Sequence, residues 1–159
     1  MPHTTPPRPS DPEPPATPTA PTDLGLVDGL AQLSFAIHAA LGKVAAGHDL
    51  SIVQLRMFGV LRDREPGMQE LARHLGLDKS SATGLVDRAE RRGLVRRSPS
   101  PHDRRSVQVA LTEQGHQLAR EATVEAGQHI HALAAHLTDE QRAQLSLLAS
   151  AALAGPAPS

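Results

Sequence analysis

The sequence predicts a mainly helical α+β fold: a winged helix-turn-helix with an α-helical dimerisation region, in the order α-α-α-α-β-β-α-α. Two observations carry that prediction. In the run GLVRRSPSPHDRRSVQVALTEQG, from Gly93 to Gly115, two short strand candidates flank a loop holding Pro99, Pro101, Asp103, Arg104 and Arg105. On the second strand Val107, Val109 and Leu111 alternate with polar or small residues, which turns one face to a core and the other to solvent. The second observation is a pair of short amphipathic helices just upstream, separated only by Gly76 and Leu77. A basic hairpin behind such a pair lets a helix enter the major groove while cations on the wing reach phosphates or the minor groove.

Each element has its own signal. Residues 1–22 hold 9 of the 14 prolines and almost no apolar side chains, so they read as a disordered or polyproline-like tail. They lack the apolar core of a signal peptide, and the chain has no run of 18 consecutive apolar residues, so the protein is expected to be soluble and cytoplasmic with no membrane partner. The folded unit spans 23–153. Its first helix begins at Thr22 or Asp23 and carries Leu26, Leu30, Leu33, Ile37, Ala40 and Val44 along one seam until Gly47 stops it. Ser51 and Gln54 form a capping box for a second helix with Leu55, Phe58 and Leu61, expected to end near Pro66-Gly67. MQELARHLGL follows, with Leu71, Ala72 and Leu75 inward and Gly76 as its stop. Asp78 then caps a helix from Lys79 to Arg92, whose Ala82, Leu85, Val86 and Ala89 face inward and which Gly93 ends. Behind the wing Thr112 caps a long helix with Leu118, Ala122, Ala126, Ile130, Leu133 and Leu137. Thr138 and Gln141 cap a last helix with Leu145, Leu148 and Ala152 on one face. Residues 51–111 thus form a DNA-binding lobe. Residues 23–47 and 112–153 form apolar-faced helices for which a second copy is the expected cover.

Charge supports that division. Residues 51–115 carry 12 Lys and Arg against 8 Asp and Glu, whereas the flanking segments are acidic at 2 against 5 and 2 against 4. Basic charge therefore lies where phosphates would be met. With no cysteine there is no disulfide or thiolate metal site, and with Phe35 and Phe58 as the sole aromatics there is no platform for stacking single-stranded bases. No nucleophile elbow, phosphate loop or paired acid–base constellation is present, so an enzyme is not expected, nor is a cofactor.

The sequence resembles the multiple-antibiotic-resistance regulator (MarR) family of bacterial transcription factors over residues 24–153. The most specific part is D-x-R-S-x-x-V-x-L-T-x-x-G, matched by Asp103, Arg105, Ser106, Val109, Leu111, Thr112 and Gly115. The stretches ELARHLGLDKSSATGLVDRAERRGLV and LSIVQLRMFGVL also look like family helices. The resemblance implies a homodimer that binds double-stranded DNA at pseudo-palindromic operators, as a repressor relieved by a small anionic or aromatic effector. It implies that Arg105, beside Arg104 at the wing tip, enters the minor groove and that Asp103 orients the wing. It also implies that Ser80, Ser81 and Thr83 face the major groove, with Lys79 and Gln69 near phosphates. Gly84 departs from the pattern, since many members carry a longer base-reading side chain there. A glycine inside a helix costs about 1 kcal/mol relative to alanine, and it permits a close approach.

Other residues have two readings. Arg88 is expected to hold its helix through an acidic neighbour rather than to read a base, and Arg91 and Arg92 to form a solvated face. Arg96 and Arg97 have, beside a solvated reading, one in which their stems cover the sheet while their heads contact phosphate. Glu121, Glu125 and His129 at i, i+4, i+8 give the alternative of a metal-sensing regulator, although a polar helix face with Glu–His pairing is the plainer reading. An effector would sit between the dimerisation helices and the reading lobe, with His38, Arg56 and Met57 as lining residues. Arg56 would then pair with an anion, or simply be exposed. A wing that binds protein instead of DNA is the remaining alternative.

Overall fold

Capping decides where most of the helices begin. The computed structural model describes residues 22–99 and 107–155, and Asp103, Arg104 and Arg105 lie outside them. α1 (Gly25–Gly47) starts slightly later than expected, because Gly25 takes φ +71° and donates its N–H to Asp23 Oδ1 at 2.8 Å. At its far end Gly47 remains helical, and the left-handed residue is Asp49, at φ 54°. Leu50 N–H reaches back to the Ala45 carbonyl at 2.8 Å, closing the helix around an aspartate, one of the few side chains that tolerate this region.

The Ser51–Gln54 box is formed in both directions and opens α2 (Ile52–Leu61). α2 ends five residues before the expected stop at Pro66. The intervening chain turns through Arg62 and Asp63, and Pro66 and Gly67 then join the sheet. The Pro66 carbonyl accepts from Val109 N–H at 3.0 Å, and Gly67 bridges Gln108. α3 (Met68–Leu75) follows at once and closes on Gly76 at φ +67°. α4 (Lys79–Arg91) is capped by Asp78. β1 (Val95–Pro99) and β2 (Val107–Leu111) pair antiparallel, with Val95 opposite Leu111 and Pro99 opposite Val107.

The alternation expected along β2 is only partly realised. Val109 and Leu111 are buried, but Val107 is 42% exposed and Ala110 is buried as well. The inner end of β2 packs against α2, α3 and α5, whereas Val107 borders an open groove beside Gly67 and Met68.

Thr112 opens α5 (Glu113–Leu133) by accepting from Gly115 N–H at 3.0 Å, and its hydroxyl donates to the Gly93 carbonyl at 2.6 Å. Leu137 falls in the turn after α5 rather than on its stripe. α6 (Asp139–Leu153) begins on the expected Thr138–Gln141 box. The observed order is the predicted one.

The core sits in the reading lobe. Met57, Phe58 and Leu61 of α2 meet Leu71 and Leu75 of α3, Leu85 and Val86 of α4, and Val109 of β2, all buried. Side chains of this size contribute roughly 1.5–3 kcal/mol each when fully buried, so this cluster fixes the angle between α3 and α4. The outer helices differ. α1 buries only Ala40, Val44 and Ala45, all toward its C-terminal end, and α6 buries nothing. Leu26, Val27, Leu30 and Phe35 of α1 and Leu147, Leu148 and Leu153 of α6 stand exposed. With 23 residues and an 18-residue stretch of mean hydropathy 1.2, α1 is long and apolar enough by length and composition to cross a membrane, despite Asp28, His38 and Lys43 along it. That was not expected from the absence of an unbroken apolar run.

Candidate nucleic-acid interface

The start of α4 is built around one carboxylate. Asp78 accepts from Ser81 N–H at 2.9 Å, from Ser81 Oγ at 2.6 Å and from Ser80 Oγ at 2.5 Å. The two serine hydroxyls and the Ser81 amide hold the Asp78 carboxyl far below the usual carboxylate range. Thr83 Oγ1 donates to the Lys79 carbonyl at 2.8 Å. Ser80, Ser81 and Thr83 therefore line the N-terminal half of α4 with their protons already placed. Toward a ligand they present lone pairs, which suit base donors such as cytosine N4 or adenine N6 better than phosphate oxygens.

Gln69 and Lys79, both expected near phosphates, lie on one groove. They line a groove of 750 Å3 with Gly67, Met68, Glu70, Arg73 and Val107, between the N-terminal turns of α3 and α4 and the base of the wing. Sequence reasoning missed Arg73, whose signal was its i+4 spacing from Gln69 on the exposed face of α3. Arg73 and Lys79 outnumber the Glu70 carboxylate, and the α3 N-terminus has no side-chain cap, so the groove favours an anion.

The arginines of the hairpin divide. Arg97 places one end of its guanidinium 2.6 Å from Asp87 and the other on Glu90. Burial alone would lower its pKa, but the two carboxylates outweigh it and hold the guanidinium above its ordinary value. Its head is thus occupied by the two carboxylates, and Arg97 pins β1 to α4. The signal was the i, i+3 spacing of Asp87 and Glu90, which puts both on one helix face. Arg96 pairs loosely with Glu65 at 3.5 Å. Arg92 is not merely solvated, since its guanidinium donates to the Asp49 carbonyl at 2.7 Å and ties α4 to the turn between α1 and α2. Arg88 does not pair with its acidic neighbours, which Arg97 has taken. It lies along α4 against Gly84.

The expected effector residues do not converge. Arg56 lines an apolar cleft of 370 Å3 between α1, α2 and α5, together with Leu41, Leu55, Phe58, Ala122 and Ile130. His38 lies instead in a separate groove on α1 with Leu30, Leu33, Ser34, Ile37 and Leu41. Met57 is fully buried in the core and lines neither, because its position on α2 faces α3 and the sheet. The expected Glu–His pairing on α5 is present, with His129 Nε2 3.8 Å from Glu125, and the same carboxylate also meets His48 Nε2 at 3.0 Å. Among the described residues no group of three or more such side chains is placed to hold a metal.

Comparison with known proteins agrees with this geometry. A family model described as MarR family matches residues 48–106. The HTH-type transcriptional regulator YfiV of Bacillus subtilis is 38% identical over 85 residues, covering 52% of this chain and 53% of that protein. PecS of Dickeya dadantii, another HTH-type regulator, is 28% identical over 127 residues, 77% of this chain and 76% of PecS. The HTH-type transcriptional repressor NicR of Pseudomonas putida is 36% identical over 91 residues, 56% of this chain and 58% of NicR. Apart from PecS, these matches span little more than half the relative's length. Among solved structures, apo MarR from E. coli superposes with a TM-score of 0.72 at 25% identity, covering 83% of this chain and 99% of that one. NadR in complex with 4-hydroxyphenylacetate gives 0.66 at 27% identity, covering 87% and 100%. All of these relatives are regulators rather than enzymes. With this helix order, two-stranded wing and set of relatives, the chain belongs to the MarR family of winged helix-turn-helix transcriptional regulators.

Proposed function

We propose that the protein is a sequence-specific DNA-binding repressor that acts as a homodimer on a pseudo-palindromic operator and is released by a small-molecule effector. One observation carries the reading. The N-termini of α3 and α4 and the base of the wing share a groove that holds Lys79 and Arg73, with the wing clamped to α4 through Arg97. In such a layout α4 enters the major groove, Gln69 and Lys79 bear on phosphates, and the wing residues Arg104 and Arg105 reach the minor groove, with Asp103 orienting them. The exposed leucines of α1 and α6 supply the apolar area for a symmetric dimer that sets two reading heads about one helical turn apart. The apolar cleft beside Arg56 is the effector site, and an anionic group there pairs with that guanidinium. NadR, whose ligand is a carboxylate, supports that choice. A repressor of this kind works as a soluble, cytoplasmic protein.

The test is fluorescence anisotropy of the protein on duplex DNA from upstream of its own gene, beside Lys79→Ala and Arg105→Ala. Tight binding that exceeds binding to random duplex, and that weakens in both variants, is the expected result. Equal weak binding to every duplex, indifferent to both residues, would overturn the reading in favour of a wing that binds protein.

A further inference from the structure

The exposed face of α4 contains one residue whose position the family pattern does not explain. Ser80, Gly84 and Arg88 succeed one another at i, i+4 and i+8, opposite the buried Ala82, Leu85, Val86 and Ala89. Helical side chains lean toward the N-terminus of their helix, and Arg88 accordingly lies over the turn of Gly84. Its Nη1 stands 3.5 Å from the point where a Cβ on Gly84 would be. A long side chain at position 84 would occupy that place. The glycine therefore clears a path for the guanidinium toward the N-terminal half of the helix, the half that enters a groove first.

The hydroxyl donors on this face are engaged, and Arg91, the other exposed arginine of α4, stands in its last turn, farther from the N-terminal half. Ser80 and Ser81 give their protons to Asp78, and Thr83 gives its proton to the Lys79 carbonyl. Asp87 and Glu90, the carboxylates nearest Arg88 on the helix, are both held by Arg97, and Arg92 is spent on Asp49. A guanine edge in the major groove offers two acceptors, N7 and O6, and needs a planar pair of donors. We propose that Arg88, reaching along α4 over Gly84, is the specificity-determining residue that reads a guanine in each half-site. This rests on the DNA-binding reading above and assigns to Arg88 the role that a longer side chain at position 84 would otherwise fill.

The experiment is selection of binding sites from a random duplex pool by the full-length protein and by Arg88→Ala, Arg88→Lys and Gly84→Leu. The wild type enriches a two-fold-related motif with a guanine in each half. Arg88→Ala loses the preference for that guanine by about tenfold or more, while the other positions of the motif persist. Arg88→Lys keeps the charge but not the fork, so it retains affinity yet loses the same preference, which separates reading from folding. Gly84→Leu displaces the guanidinium and does likewise. A motif unchanged in both Arg88 variants overturns the proposal while leaving DNA recognition intact. A wild type that enriches no sequence overturns both.

Discussion

Asp78 is the residue on which the start of the reading helix depends. It accepts three hydrogen bonds from Ser80 and Ser81, and its carboxyl lies well below the ordinary range for that reason. A carboxylate whose folded pKa is depressed stabilises the fold above its unfolded value of about 3.9, and that contribution disappears as pH falls through the folded value. Asn at this position still caps the helix but does not titrate. Thermal melts from about pH 5 downward should therefore show the wild type losing melting temperature faster than Asp78→Asn; parallel curves would mean that the carboxylate adds nothing as a charge. Gly115 makes a different kind of demand. A Cβ there would stand 2.0 Å from the Leu94 carbonyl oxygen, so the first turn of α5 cannot close on the wing with any side chain present. Gly115→Ala should cost about 3 kcal/mol or more in denaturant unfolding, whereas Gly84→Ala, with only an ordinary 3.5 Å contact, should not destabilise.

At the scale of elements, local signals carried the reading well and long-range ones poorly. Ser51–Gln54, Asp78, Thr112 and Thr138–Gln141 each cap the helix they were expected to cap, because a cap depends on residues within one turn of it. The joining of Pro66 and Gly67 to β2 pairs residues some forty positions apart, and no local pattern announces it. The same holds for Arg92, whose partner lies on another element, whereas the signal for Arg97 lay on α4, in the i, i+3 pair Asp87 and Glu90, and not on its own strand. Met57 was misplaced because an apolar residue on a short helix can face a core or a cleft with equal local logic. The Arg97 clamp has a consequence that belongs to β1 and α4 together. Arg97→Ala should cost about 1 kcal/mol of stability, since the pair is only partly buried, yet weaken DNA binding more than that loss explains. A double-mutant cycle with Asp87→Asn checks it, and additive effects on affinity would contradict a clamp.

Over the whole molecule, the proposed dimer joins the apolar face of the outer helices to the basic centre. Leu26, Val27 and Leu30 of α1 and Leu147 and Leu148 of α6 lie open in a single chain, so Leu30→Glu should convert a dimer to monomers in sedimentation velocity and abolish tight operator binding with it. A dimer that survives this change would place its interface elsewhere. In the proposed dimer the basic centre meets phosphates while the two copies of α4 and the wing hold their cations in register. The most direct measurement of it is the affinity of the wild-type protein for its own upstream DNA, and for a shuffled duplex, across a salt series. The logarithm of affinity should fall linearly with the logarithm of salt, with a slope of about −0.9 per phosphate neutralised, and the specific duplex should stay ahead throughout. A flat salt response, with both duplexes bound alike, would contradict it.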